Sequence, residues 1–249
     1  MEEKHIYEGD VSIKSPLMTK LENFWYHYKW HTIISAFVVT IILICSFQMC
    51  TRTVYDVHIL YAGDFKLLKT SADGDIAPYL GTVSSFERVC DDFDESGSAE
   101  VNLLDLFVMT PEQISEFYAS GDSSDKEINE IQIRDNTKAL ETSLLMSNYY
   151  VCFLSKELFL KYDELHGGAI FSELEAYTDA DGEYEYASSR GIYLSSLDFY
   201  EMAYICNLPG DTVVCLRKLS EVSNTFGGSN AEEDFRRSEE LLRSILSAE

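Results

Sequence analysis

Proline and histidine are scarce in this chain, with four and five copies in 249 residues, and glycine contributes only 13. So little of either turn-forming residue excludes collagen-like and proline-rich designs. Basic side chains are also short. Nineteen Lys and Arg stand against 43 Asp and Glu, giving a formal net charge of −24 and a pI near 4.4. A surface so poor in cations gains nothing from phosphates, which argues against nucleic acid as a partner. Catalytic signatures are missing as well: there is no H-E-x-x-H, C-x-x-C, G-x-S-x-G, P-loop or dinucleotide-binding glycine pattern. Ser123-Ser124-Asp125-Lys126 matches S-x-x-K. It sits in a polar loop with no companion K-T-G, and two common residues at that spacing arise by chance. The expectation is a non-enzyme without an organic cofactor.

Hydrophobic residues, at 46%, and aromatics, at 13%, are present in core-forming amounts and exclude a wholly disordered chain. The feature that dominates is the run from Thr32 to Thr51, which carries no charge. About 20 helical residues at ~1.5 Å each reach across the ~30 Å hydrocarbon layer. The rings of Phe24-Trp25-Tyr26-His27-Tyr28-Lys29-Trp30 precede it and suit the headgroup layer. A core helix would carry a polar stripe, which this run lacks. A cleaved signal would start within a few residues of the N-terminus and end on small residues, whereas about 30 residues come first and no Ala-x-Ala follows. Ile44 and Met49 stand where lipid attachment at Cys45 or Cys50 would need a small residue. The expected organisation is a short cytoplasmic tail over 1–29, a transmembrane helix over 30–50 and an extracellular acidic domain over 51–249. Lys20 and Lys29 against Arg52 set the N-terminus inside by the positive-inside rule.

Residues 51–249 carry 15 basic and 38 acidic side chains, so the net charge belongs almost wholly to them. Periodicity alternates along this part. Val54–Tyr61, Val101–Met109, Tyr149–Leu154, Gly191–Leu194 and Asp211–Arg217 read as strands, with 101–109 apolar enough to be buried on both faces. Helices are expected over 76–90, from Thr110-Pro111, over 126–147, from Ser155, and over 231–246, where Asn230 and Glu233 have capping-box spacing. Strands alternating with helices of this length imply an α/β fold with a mainly parallel sheet flanked by helices. Four cysteines, Cys90, Cys152, Cys206 and Cys215, lie beyond the membrane run; Cys206 and Cys215 flank a turn and could bridge it, while Cys152 and Cys215 in apolar runs read as buried thiols.

The run Asn23–His31, the apolar span, and then Asp56-Val57-His58-Ile59-Leu60-Tyr61-Ala62-Gly63 resemble a group of uncharacterised single-pass surface proteins of Gram-positive anaerobes. Thr137–Leu140, Tyr149–Ser155, Leu158–Tyr162 and Phe171–Tyr177 are similar to extracellular solute-binding proteins over about half of the outer domain. The resemblance implies a binding module. About 200 residues after the anchor are fewer than two full lobes need, so one lobe is expected.

Candidate chemistry concentrates in Asp91–Glu100. Counted from Asp92, oxygen side chains fall at positions 1, 3 and 5 (Asp92, Asp94, Ser96), with Gly97 at 6 and Glu100 at 9. Calcium loops use that spacing to wrap oxygens round a hard cation. Leu103 stands where the bidentate Glu would be, and a strand follows, so a solvated acidic loop competes with the metal site. The acidic turns at 73–75 and 179–183 are turns by composition alone. His58 reads as a packed residue and His166 as part of a helix-ending loop. Ligands of parallel sheets sit at the carboxyl ends of the strands, which singles out the loops after Tyr61, Met109 and Leu154. The expected function is a membrane-anchored, solute-binding-like interaction module facing a small-molecule or protein partner. The alternative is a structural accessory subunit of a membrane complex.

Overall fold

The structure, a computed structural model, describes residues 16–50, 54–67, 77–119, 128–178, 182–219 and 230–248. The S-x-x-K match at 123–126, the acidic turn at 73–75 and residues 179–181 lie outside these. The chain divides into two compact units, 1–53 and 54–249.

In the first unit, helix α1 runs Pro16–Cys50 and starts before the expected boundary at residue 30. Pro16 opens it, and Leu, Met, Lys and Glu, all strong helix formers, fill the turns ahead of the aromatic run. Its stretch Phe24–Phe47 is long and apolar enough to cross a membrane, and its most apolar window is entirely unburied. At ~1.5 Å per residue it reaches about 36 Å. The Thr40 hydroxyl donates to the Ala36 carbonyl at 2.8 Å, so that polar atom is satisfied within the helix. Phe24 and Tyr28, one turn apart, stack with centroids 5.2 Å apart.

The second unit is an α/β sandwich. Its strands are β1 (Val57–Gly63), β2 (Val101–Phe107), β3 (Val151–Leu154), β4 (Tyr186–Ser188), β5 (Gly191–Tyr193) and β6 (Val213–Leu216). They form one sheet in the order β2-β1-β3-β6-β5-β4. The helices are α2 (Pro78–Glu87), α3 (Pro111–Ala119), α4 (Glu130–Met146), α5 (Lys156–Leu165) and α6 (Ala231–Leu246). Strand alternation sends Val57, Ile59, Tyr61, Val151 and Phe153 into one core, shared with Phe86 of α2 and Leu241, Leu242 and Ile245 of α6. Leu60, Ala62, Cys152, Leu154 and Cys215 enter the other, with Leu140 and Leu144 of α4 and Leu158, Phe159 and Tyr162 of α5.

Parallel pairing holds for β2-β1-β3, where Ile59 lies opposite both Leu103 and Val151. The β3–β6, β6–β5 and β5–β4 pairs are antiparallel, so the sheet is mixed rather than mainly parallel. The reason is local: β4 and β5 are joined through residues 189–190, and a two-residue turn connects only antiparallel neighbours. Strand β2 is not buried on both faces. It lies at the sheet edge, and Asn102, Leu104, Asp105 and Phe107 stay half-exposed.

Helix α2 faces the core through Phe86, with Val83 packed partly against it. Gly81, Thr82, Ser85 and Phe86 are buried and Leu80 is exposed. A Cβ at position 81 would lie 2.4 Å from the Tyr204 ring, so glycine is what admits that ring against the helix. The Ser85 hydroxyl donates to Ala203 O beside it. The described cysteines are free thiols, which overturns a Cys206–Cys215 bridge: Cys206 is exposed, and Cys215 is buried opposite Cys152 in the β3–β6 register.

Among the described residues, Arg217 is one of the largest fully buried side chains. Its guanidinium lies 4.4 Å from the Tyr150 ring centroid and donates to Tyr149 O, at 3.1 Å, and to Ser147 O, the residue that ends α4. Burial lowers its pKa, and the ring face and carbonyl oxygens compensate the desolvated charge. Gly191 is buried on β5, where an added Cβ would sit 2.5 Å from Val213 Cγ1 and 2.6 Å from Phe159 Cζ. Gly191→Ala is therefore expected to cost about 2 kcal/mol by overpacking. Urea denaturation checks this, and an unchanged midpoint would contradict the packing described.

Candidate functional site

The acidic loop forms directly beneath the start of β1. Asp56 is buried just ahead of that strand, and its carboxylate accepts three amides: Phe93 N at 2.9 Å, Asp94 N at 3.2 Å and Glu100 N at 2.9 Å. Asp92 accepts Ser96 N at 3.0 Å and Gly97 N at 2.7 Å, and Asp94 accepts Ser96 N at 2.9 Å. Gly97, at φ +104°, allows the reversal. Hydrogen bonds from Ser96 hold the Asp94 carboxyl below its ordinary range. Of the four residues singled out by spacing, Asp92 and Asp94 converge, and the third carboxylate beside them is Asp56, with oxygens within 4.8 Å of one another. Glu100 lies outside that group and reaches it through its backbone, while the Ser96 hydroxyl donates to Ser98 O at 3.1 Å. Asp56, Asp92 and Asp94 are thus the residues that could hold a hard divalent cation. Six hydrogen bonds from five backbone amides also reach these carboxylates.

Asp56→Ala would strand three amides and is expected to lower the unfolding free energy by about 3 kcal/mol. Denaturation in excess EDTA and in millimolar Ca²⁺ should give the same midpoint for the native chain. Stabilisation by Ca²⁺ would show that the amides do not suffice.

His58 is half-buried near the amino end of β1, against the Tyr149 ring. Its Nδ1 lies 2.9 Å from Asn102 Nδ2, an amide donor, so the neutral Nε2–H tautomer fits; the same amide donates to Tyr149 Oη at 3.1 Å. Burial lowers its pKa, and the charge of Asp234 opposes that shift. Below its ordinary pKa near 6.5 the unfolded chain binds a proton that the folded chain resists, so stability falls as pH drops through that value. His58→Gln is expected to flatten this part of the stability–pH curve, measured by urea titration between about pH 7 and pH 5.5.

At the carboxyl ends of β1 and β3 the protein fills its own crevice. A Cβ at Gly63 would lie 3.2 Å from Tyr61 Oη and 3.4 Å from Ser155 Cβ. The Tyr61 hydroxyl is raised well above its ordinary pKa by burial, with Asp64, Asp105 and Asp211 adding to the shift. Ser155 occupies the position that caps α5, yet its hydroxyl makes no capping bond.

Open space lies to one side, where α3, α4 and α5 surround the end of β2. This cleft, of about 500 Å³, is lined by the apolar Val108, Met109, Ile114, Ile131, Ile133 and Leu158 and by the charged Glu130, Arg134 and Lys161. Thr110 and Gln113 cap α3 reciprocally: Thr110 N donates to Gln113 Oε1 at 2.8 Å and Gln113 N to Thr110 Oγ1 at 3.3 Å. Helix α3 contributes no buried residue. Tyr118 Oη donates to Glu130 Oε1 at 3.0 Å, joining it to α4, and Asn136 Nδ2 donates to Phe107 O at 2.9 Å, fixing α4 to β2. Two of the three loops expected to matter, after Met109 and after Leu154, lead into this cleft. Arg134, Lys161 and Asp56 are the functional candidates that periodicity alone misses. Each is a charged residue whose neighbours are set by strand order rather than by spacing.

Compared with protein-family models, with curated proteins and with solved structures, the chain gives no match.

Proposed function

We propose that this chain is a membrane-anchored binding module: α1 crosses the bilayer, the N-terminus lies inside, and the acidic α/β unit stands outside the cell. The observation that carries the reading is the unburied apolar stretch Phe24–Phe47, whose first turns carry the exposed rings of Phe24, Trp25, Tyr26, Tyr28 and Trp30. An apolar surface of that length has no place in water, and a bilayer removes it from water completely. The binding part of the reading rests on the cleft beside the carboxyl end of the edge strand β2. Likeness to one lobe of a solute-binding protein fits an α/β unit of this size and is carried by the sequence resemblance alone. The module recognises and does not transform its partner.

A structural accessory subunit of a membrane complex is the second reading, favoured by the exposed aromatic run Phe24–Trp30. Crosslinking in native membranes separates the two, since a subunit is captured in fixed stoichiometry with one partner. For the anchor itself, alkaline carbonate should leave the chain in the membrane pellet. Proteinase added to intact cells should digest the C-terminal unit. Release by carbonate, or a protected C-terminal unit, would remove the proposed topology.

A further inference from the structure

We propose that the cleft between α3, α4 and α5 binds a small amphipathic acid, an apolar body carrying one carboxylate or similar anionic group. This inference rests on the binding-module reading and gives it a ligand class.

The size and the floor of the cleft set the first requirement. About 500 Å³ falls within the range of small-molecule sites, ~300–1,000 Å³. Val108, Ile133 and Leu158, all buried, form an apolar floor, and the half-buried Ile114 and the exposed Ile131 add to the apolar lining. Such a floor favours an apolar body of any charge. The rim decides the charge.

Arg134 and Lys161 both line the cleft, in a chain with only 19 cationic side chains against 43 acidic ones. The acid on the lining, Glu130, accepts the Tyr118 hydroxyl. The ion pair of Arg134 with Asp135 is a single contact at 3.8 Å between side chains about two-thirds exposed, at 66% and 62%. A pair that long and that wet is worth little, and it leaves the planar guanidinium able to take a carboxylate in two-pronged fashion. The neighbouring end of β1 carries Asp64, with Asp105 and Asp211 close by, and repels anions. An anionic guest approaching the strand ends is thereby directed to the cleft. Helix α3, with no buried residue, lends Pro111 and Ile114 to the lining.

The test uses the full chain in nanodiscs of zwitterionic lipid, labelled at the isoleucine δ-methyl groups. It is titrated with 4-phenylbutyrate, with the neutral 4-phenylbutanamide and with the cationic 4-phenylbutylamine. Ring currents from the phenyl group should move the Ile114, Ile131 and Ile133 resonances, and the acid should bind at least about tenfold more tightly than the amide. The double variant Arg134→Gln, Lys161→Gln should keep its melting temperature and bind the acid no better than the amide. Equal affinity for acid and amine, or no movement of these methyls with any probe at millimolar concentration, overturns the proposal. Neither failure touches carbonate extraction or proteinase access, which judge the anchored-module reading separately.

Discussion

The acidic unit depends on β3. Its four residues, Val151 to Leu154, are wholly inaccessible to water, and the strand pairs parallel with β1 on one side and antiparallel with β6 on the other. A strand buried on both faces demands a helical layer on each face, and α2 with α6 and α4 with α5 supply them. Reversal of strand direction takes place at the same four residues. Before β3 the strands of this unit run parallel and are joined through helices; after it they run antiparallel, with α5 leading from β3 towards β4, a two-residue turn joining β4 to β5, and 3-10 turns between β5 and β6.

That division also explains which parts were legible. The apolar run of α1, the cap of α3 by Thr110 and Pro111, and the span of α6 announce themselves through length, capping chemistry and periodicity. The strands β1 and β3 do so through continuous apolar runs. Strand β4 has only three residues, and Tyr186 at its start is exposed, so no alternation develops from which pairing could be inferred. In helix α2 only part of the inward face is legible: Phe86 is apolar, but Gly81, Thr82 and Ser85 share its burial, and Gly81 is there to admit the Tyr204 ring. In the acidic loop the spacing locates Asp92 and Asp94 correctly as neighbours. The buried carboxylate they meet, Asp56, comes from 36 residues earlier in the chain, and only the fold brings it there.

Charge is distributed with a purpose that composition hides. A net charge of −24 describes an average surface. Within it, three carboxylates accept backbone amides at the amino end of β1, while Arg134 and Lys161 stand with Glu130 beside the end of β2. The two ends of the parallel strands therefore present different electrostatics, one satisfied internally and one directed outward.

The burial of Arg217 has a mechanical corollary. By gripping the carbonyls of Ser147 and Tyr149, it clamps the C-terminal end of α4 to the interior, with Tyr150 stacked beneath its guanidinium. The opposite end of α4 borders the cleft and is tied to α3 by the Tyr118–Glu130 bond. Between these two points Ile133, Leu140 and Leu144 are buried and Asn136 holds Phe107 O, so α4 is fixed to the sheet along its length. The guanidinium therefore acts as a stop at the junction of α4 and β3: a slip of the helix along its axis would pull the Ser147 and Tyr149 carbonyls away from a buried charge.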